Sequence, residues 1–297
     1  MATYKTSVSR KVFQICNYIF MILICIICIL PLWHVYMASI SDPALVEKAN
    51  GFILYPLGQL TTKGYEIIAK YKSLWRGYGN TIIYIIAQCI VSGVLTLIAG
   101  YVLSRKEIRY RNAMMMFMMF TMMFNGGTIP TYMVVRNLGL LDTRLALILP
   151  MAVSVFHVII MRTGINSIPD ALIESARMDG AGTIKIIFKI ILPLCKSTFA
   201  VILLFVAVFK WNEWYSALLY LPQATDKYPL QMVLREILVL NTSDTISTGA
   251  DLVDNLQLYK TLVKYCAITV STAPILCVYP FVQKYFVTGV MIGSVKG

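Results

Sequence analysis

The sequence predicts an all-α integral membrane protein with six transmembrane helices, and three observations lead to this prediction. Apolar residues fill 58% of the 297 positions, charged residues fill 13%, and the mean hydropathy is +0.72. A soluble domain carries about a quarter charged residues. Six stretches approach or exceed the roughly 20 apolar residues with which a helix crosses a hydrocarbon core. Lysine and arginine are concentrated in alternate loops, as expected if those loops face the cytoplasm.

The predicted spans form one transmembrane domain over residues 1–297, and they lie near 13–33, 80–103, 113–133, 145–162, 195–216 and 265–285. The first follows a basic N-terminus, but it is too long for a secretory signal and no cleavage site follows it, so it is predicted to remain uncleaved. The second and sixth carry no charge over 81–103 and 265–283. The third is rich in Met and Phe, and the fourth is a little short.

Orientation follows from the density of basic residues in the loops. With the N-terminus inside, the cytoplasmic stretches hold 14 Lys and Arg in 70 positions, against 12 in 112 positions outside. The loop at 104–112 gives the clearest signal. Both termini are therefore predicted to be cytoplasmic. The net charge of +12 needs no nucleic-acid partner, since no nucleic-acid-binding motif accompanies it. The outer segments 34–79 and 217–264 give no indication of their roles.

Catalytic and metal-binding residue sets are not predicted. The sequence has no G-x-x-x-x-G-K-[ST] phosphate loop, so any ATP that powers the protein must bind another chain. Two histidines are too few for a catalytic cluster, and His157 is predicted to hydrogen-bond a neighbouring helix rather than to relay protons. The seven cysteines lie in or beside apolar stretches, where they act as small apolar residues. We therefore predict that the protein is not an enzyme.

The cytoplasmic loop at 168–193 is predicted to contain two short helices joined by a tight turn. Pro169 and Asp170 favour the start of the first helix. Asp179 and Gly180 supply the turn, because glycine tolerates positive φ. The second helix is predicted to begin near Thr183 and to stop before Pro193. Such a knob has two interpretations: a docking surface for another protein, or a helix pair lying on lipid headgroups.

This loop resembles the E-A-A-x3-G-x9-I-x-L-P motif of the permeases of ABC importers. Glu174, Ser175 and Ala176 are followed at the family's spacing by Gly180 and by the I-I-L-P run at 190–193. The one departure is Ser175, a small residue in place of alanine. The resemblance implies that the loop is the coupling helix that docks on an ATP-binding subunit. The implied coupling residues are Glu174, Ser175, Ala176, Asp179, Gly180 and Ala181.

Three further stretches resemble the carbohydrate branch of this family, in its MalG-like half. They are GGTIPTY at 126–132 with NLGLLD at 137–142, KWNEW at 210–214, and GVMIGSVKG at 289–297. The first most resembles the subgroup that imports complex oligosaccharides in Gram-positive bacteria. In MalG-like subunits the tail reaches into the ATPase dimer interface, which implies ATPase contacts for Gly293, Lys296 and Gly297.

The resemblance also implies the partners and the location. We expect a second homologous permease, two copies of an ATP-binding subunit that carry ATP and magnesium, an extracellular solute-binding protein, an oligosaccharide substrate and membrane lipid. No cofactor is expected on this chain, which would lie in a bacterial plasma membrane. The alternative is a secondary, ion-coupled transporter subunit. It is disfavoured because the predicted spans carry no acidic residue away from their ends.

The candidate substrate path lies near the outer ends of the third and fifth spans. Trp211 and Trp214 offer rings that can stack on sugars, and Asn212 and Glu213 offer groups that bind hydroxyls. The competing interpretation is an interfacial aromatic belt. Asn125 lies where Gly126, Gly127 and Pro130 interrupt the third span. That interruption is either a break lining a cavity or a simple helix end.

Overall fold

A computed structural model describes residues 8–240 and 256–294, and all regular structure in these ranges is helical. The helices are α1 (Val8–Ser39), α2 (Pro43–Lys48), α3 (Lys63–Lys70), α4 (Lys72–Ser104), α5 (Arg111–Met123), α6 (Thr128–Asn137), α7 (Leu145–Ile148), α8 (Val155–Asn166), α9 (Asp170–Met178), α10 (Thr183–Ile186), α11 (Leu192–Leu194), α12 (Lys196–Trp211), α13 (Tyr215–Tyr220), α14 (Leu230–Arg235) and α15 (Leu256–Ser294). The all-α prediction is confirmed for this part of the chain.

One compact unit comprises residues 1–71 and 237–274. Its longest helix is α1, whose 32 residues include Pro31. At the end of α1, the indole nitrogen of Trp33 donates to the carbonyl of Leu54 at 2.9 Å, and His34 Nδ1 accepts from the amide of Ile53 at 2.9 Å. These bonds fold the outer segment back onto the helix from which it emerges. Part of segment 34–79, whose role the sequence did not indicate, is thus an ordered cap on α1.

The other unit comprises residues 72–236 and 275–297, and it is built around α4. Glycines allow its helices to approach closely. A Cβ atom on Gly93 of α4 would lie 3.1 Å from the ring of Phe199 of α12, and one on Gly164 of α8 would lie 3.0 Å from the side chain of Thr198 of α12. Small residues at crossings of this kind are typical of helix packing in membranes.

The predicted spans are recovered in part. Three helical stretches in the described residues are long and apolar enough to cross a membrane by themselves: Val8–Ser39, Lys72–Ser104 and Lys260–Pro280. The number rises to five if each of two bent pairs is one span: Leu145–Met151 with Val155–Asn166, bent by 54°, and Thr183–Leu194 with Lys196–Trp211, bent by 88°. The third predicted span, 113–133, is not among them.

That third span is broken where the sequence predicted an interruption. Helix α5 ends at Met123 and α6 begins at Thr128. Between them Gly127 takes φ +89°, and Asn125 Oδ1 accepts from the amide of Gly127 at 2.9 Å. Because α6 then runs on to Asn137, the interruption separates two helices instead of ending one.

The fifth predicted span, 195–216, differs at its outer end, because α12 stops at Trp211. The amide nitrogen of Asn212 donates to the carbonyls of Val208 and Phe209, and its side-chain Nδ2 donates to Val208 at 2.8 Å. These bonds satisfy carbonyls that a helix end leaves open. The chain then turns before α13.

The segment after α13 is tied to the N-terminal part of α4. Asn80 Nδ2 donates to the carbonyls of Asp226 and Tyr228, at 2.8 and 3.1 Å. The Tyr84 hydroxyl donates to the carbonyl of Lys227 at 2.7 Å, and Thr81 Oγ1 accepts from the amide of Leu230 at 2.8 Å. This part of segment 217–264, which the sequence left without a role, is therefore held against α4 through its main chain.

Candidate coupling site

The turn after α9 has the geometry that the sequence predicted. Helix α9 begins at Asp170, directly after Pro169, and ends at Met178. Gly180 takes φ +76°, its amide donates to the carbonyl of Arg177 at 3.0 Å, and the amide of Ala181 donates to the carbonyl of Ala176 at 2.9 Å. This pair of bonds around a left-handed glycine is the Schellman motif, which closes a helix and reverses the chain.

The second helix of the loop continues further than predicted. It begins at Thr183 as expected, but it passes through a π-helical turn at Ile187–Ile191 and then through Pro193 to Leu194. The prediction that it stops before Pro193 is therefore wrong. Proline disrupts a helix because it lacks an amide proton and clashes with the carbonyl four residues earlier. Here the wide turn directly before Pro193 has already shifted the hydrogen bonds away from that pattern, as the bond from Leu192 to Ile187 shows.

Buried isoleucines hold the knob, residues 168–194, against the spans. Ile173, Ile186, Ile187 and Ile191 lie in a core cluster with side chains of α4, α8 and α12. The opposite side carries exposed apolar residues: Leu172, Met178, Ile184 and Phe188 are 49%, 89%, 75% and 40% exposed. The apolar face of the second helix is thus divided between the core and a free surface. An exposed apolar surface of this kind is typical of a site that contacts another protein or the membrane.

The predicted coupling residues are divided in the same way. Ala176 and Ala181 are partly buried and pack against the core cluster. Glu174, Ser175, Asp179 and Gly180 are exposed. A Cβ atom on Gly180 would meet nothing within 4 Å inside the chain. The four exposed residues are therefore accessible from outside the chain, as are the exposed apolar residues of the knob.

Ion pairs connect the knob to the loop between α4 and α5, a feature that sequence reasoning missed. Asp170 Oδ1 lies 3.6 Å from Arg105 Nη1, and Asp170 Oδ2 lies 3.3 Å from Lys106 Nζ. Arg177 Nη1 donates to both carboxylate oxygens of Glu107, at 2.8 and 2.9 Å. The partners are 64 to 70 residues apart in sequence, and the sequence analysis used the basic residues of this loop for orientation alone.

The pair of Glu107 and Arg177 is stabilising over the physiological pH range. The hydrogen bond from Arg177 lowers the pKa of Glu107, and the hydrogen bond to Glu107 raises the pKa of Arg177. A lowered carboxyl pKa gives stability that is fully present above the ordinary value of 4.5 and is lost as the pH falls through the lowered value. Because both side chains are well exposed, at 40% and 62%, solvent screens the pair and its contribution is small.

The candidate path residues on the outer side have mixed environments. Trp211 is half-buried, with its ring 6.2 Å from that of Tyr78, and its buried Nε1 donates to no described residue. Asn212 and Trp214 are exposed, and the guanidinium of Arg235 lies 5.0 Å from the Trp214 ring. Asn125 is exposed at the break between α5 and α6.

Glu213 forms a buried ion pair. Its Oε2 accepts from Lys210 Nζ, which also donates to the carbonyl of Leu147. The side chains of Lys210 and Glu213 are 3% and 9% exposed, and Glu213 Oε1 accepts from no described residue. This arrangement fixes the C-terminal end of α12 against α7. The acid–base pair three residues apart at a helix end was a sequence signal for it.

The predicted tail residues fall at the edge of the described chain. Gly293 lies in the last turn of α15, which ends at Ser294. Lys296 and Gly297 lie outside the described residues.

Long apolar helices that carry an anchored two-helix knob are the arrangement expected of the membrane subunit of a transporter. Comparison with known families agrees, since residues 92–292 match the family described as "Binding-protein-dependent transport system inner membrane component". The chain belongs to this family. It is a permease subunit of an ABC importer, which works with ATP-binding subunits and a solute-binding protein, and it is neither an enzyme nor an ion-coupled transporter.

Individual relatives extend over nearly the whole chain. Protein LplC of Bacillus subtilis is 37% identical over 295 residues, which is 99% of this chain and 98% of that protein. The polygalacturonan/rhamnogalacturonan transport system permease protein YtcP of the same organism is 37% identical over 291 residues, covering 97% and 99%. A bacterial ABC transporter involved in the import of the acidic polysaccharide alginate contains a chain with a TM-score of 0.85, 31% identity, and coverage of 96% of this chain and 100% of that one.

Proposed function

We propose that this permease forms half of the translocation path for an oligosaccharide. The observation that carries the proposal is the knob, which is anchored by isoleucines on one side and presents exposed apolar residues and the Gly180 turn on the other. Two relatives support the substrate class, because the name of YtcP specifies polygalacturonan and rhamnogalacturonan and the description of the alginate importer specifies an acidic polysaccharide. We place the protein in a bacterial plasma membrane with six spans and both termini cytoplasmic, the third span being α5 and α6 together.

The complete transporter contains a second homologous permease and two copies of an ATP-binding subunit, which carry ATP and magnesium. ATP-driven closure of those subunits draws the two knobs together, and the spans then open outward to receive sugar from the binding protein. In this chain Glu174, Ser175, Asp179 and Gly180 contact the ATP-binding subunit, while Ala176 and Ala181 hold that surface on the core. The tail residues Gly293, Lys296 and Gly297 contact the ATPase dimer.

The outer part of the path includes Trp211, Asn212, Trp214 and Asn125. The exposure of Asn212, Trp214 and Asn125 supports this assignment, because each is accessible to a passing sugar. Glu213 contributes to the same segment by fixing its main chain through Lys210. Aromatic rings with adjacent amides suit a sugar, which presents apolar ring faces and hydroxyl groups.

Substitutions at Gly180 and Gly182 test the docking assignment. Both positions are exposed, and a Cβ atom at either would meet nothing within 4 Å inside the chain, but only Gly180 has a positive φ. Gly180→Val adds bulk and about 1–3 kcal/mol of backbone strain. Gly180→Asn adds bulk with little strain, because asparagine tolerates this conformation. Gly182→Ala adds one methyl group without strain.

We expect Gly180→Val to insert normally but to lose the ATP-binding subunits on purification, or to lose sugar-stimulated ATP hydrolysis. Gly180→Asn should also impair assembly or stimulated hydrolysis, since the added atoms meet the partner surface. Gly182→Ala shows how far that partner surface extends along the knob. Wild-type co-purification, hydrolysis and uptake in Gly180→Val would show that the knob lies on lipid headgroups, and the docking assignment would then be abandoned.

A further inference from the structure

Both ends of α9 are tied to one short loop that directly follows α4. Asp170, the first residue of α9, pairs with Arg105 and Lys106, and Arg177, in its last turn, pairs with Glu107. The charges of Asp170 and Arg177 also complement the dipole of α9, because the acid lies at its positive end and the base at its negative end. We call these five residues the charge clamp.

On the loop side of the charge clamp, Arg105 is anchored by its surroundings. Arg105 is buried, its side chain is 7% exposed, its Nε donates to Ser104 Oγ at 3.2 Å, and its guanidinium lies 5.3 Å from the centre of the Tyr101 ring. Tyr101, in the last turn of α4, is itself buried in the core cluster and contributes to the raised pKa of Arg177. Arg105, which directly follows α4, pairs with the first residue of α9.

Apolar packing holds α9 near its middle. All residues of α9 are described; Ile173 is the one that is fully buried, and Ala176 is partly buried against the same cluster. The ion pairs act at the two ends of the helix, so they restrict the direction in which it points, even though each exposed pair adds little to stability.

Motion of α9 would consequently reach the outer side of the protein through α4. This helix has 33 residues, which span about 50 Å at the helical rise. Its other end holds the 226–230 segment through Asn80, Thr81 and Tyr84. One continuous helix thus connects the charge clamp to an ordered outer segment.

We propose that the charge clamp makes α9 and α4 move together, so that ATP-driven motion at the knob is delivered to the outer segment at 226–230. Glu107, Arg177, Asp170 and Arg105 are positioning residues in this scheme. The inference rests on the proposed function, since it concerns how docking is transmitted once it has occurred.

A charge swap tests the proposal. We expect Glu107→Arg and Arg177→Glu, each alone, to retain the ATP-binding subunits while binding-protein-stimulated hydrolysis and uptake fall by roughly two- to thirtyfold, the range for changes along coupling networks. The double variant, Glu107→Arg with Arg177→Glu, should recover most of this loss because it restores an attractive pair. Arg109→Glu is the matched control. It lies in the same loop with its guanidinium over the Tyr110 ring, and it changes the net charge as Arg177→Glu does.

A milder series covers the case in which charge reversal prevents assembly. Glu107→Gln and Arg177→Gln should each reduce stimulated hydrolysis, and the double variant should be no worse than either single one, because both remove the same interaction. Wild-type coupling in the single variants, or additive losses in the double variant, would overturn the proposal. Failure of the charge swap to restore coupling would also overturn the proposal. It would mean that Arg177 acts by contacting the ATP-binding subunit directly. None of these results changes the outcome expected for the Gly180 variants. The charge clamp and the docking assignment can therefore be refuted independently of each other.

Discussion

Replacing Lys210 with methionine should destabilise the protein by about 3–5 kcal/mol, the cost of breaking a buried ion pair from one side. The substitution removes the ammonium group that binds Glu213 and the carbonyl of Leu147. The Glu213 carboxylate, whose side chain is 9% exposed, would remain without a counter-charge, and its Oε1 already lacks a described partner. Loss of the bond to Leu147 would free the outer end of α12 from α7.

The double variant Lys210→Met with Glu213→Met separates the cost of a stranded charge from the loss of packing. It removes both charges and leaves the Leu147 carbonyl without its partner, which costs about 1–3 kcal/mol. The double variant should therefore be more stable than Lys210→Met alone, although it carries one more substitution. Lys185→Met serves as the control, because Lys185 is exposed on the knob and surface changes of this kind stay within about 0.5 kcal/mol.

The measurement is heat stability of the purified transporter, followed as the fraction that remains monodisperse after incubation at rising temperature. We expect the order Lys185→Met, then the double variant, then Lys210→Met, from most to least stable. If Lys210→Met matches Lys185→Met, the ion pair does not anchor α12 to α7, and Glu213 would instead be available to the substrate.

Three further predictions concern packing, the path and the topology. Gly100→Ala should destabilise by about 1–3 kcal/mol through overpacking, because its Cβ would lie 2.9 Å from Met161 Cγ and 3.2 Å from the Arg162 amide nitrogen. Gly79→Ala, on the same helix with nothing within 4 Å, should be neutral or stabilising in the same heat assay. Trp214→Ala and Asn212→Ala should raise the KM of uptake with assembly intact, and unchanged uptake kinetics in both would make them interface anchors only. Single cysteines at positions 106 and 185, in a cysteine-free background, should resist an impermeant external label in intact cells, and labelling at either would reverse the topology.

Local signals in the sequence predicted most of the helices and the Gly180 turn. The apolar runs of α1, α4 and α15 are long enough to predict membrane spans from their length alone, and glycine and proline mark the break before α6. The prediction that the second helix of the knob stops before Pro193 was wrong because the effect of this proline depends on the π-helical turn at Ile187–Ile191. A shift in hydrogen bonding of this kind leaves no distinct pattern in the sequence.

The residues that connect helices were harder to predict. Asp170 and Arg105 are 65 positions apart, and no spacing rule relates them, because their proximity follows from the packing of α8 against α4. The pair of Lys210 and Glu213 was different. It is local, and an acid and a base three apart at the end of an apolar helix could have indicated a structural role before a role in binding sugar.

The four exposed apolar side chains of the knob have a consequence for the life of the subunit in the cell. A permease made in excess of its ATP-binding partners would leave Leu172, Met178, Ile184 and Phe188 uncovered. Exposed apolar patches promote association with other chains and capture by chaperones and proteases. Under the docking assignment proposed above, we therefore expect the orphan subunit to turn over faster than the assembled one, so that the surface proposed to receive the ATPase would also keep the stoichiometry of the transporter balanced.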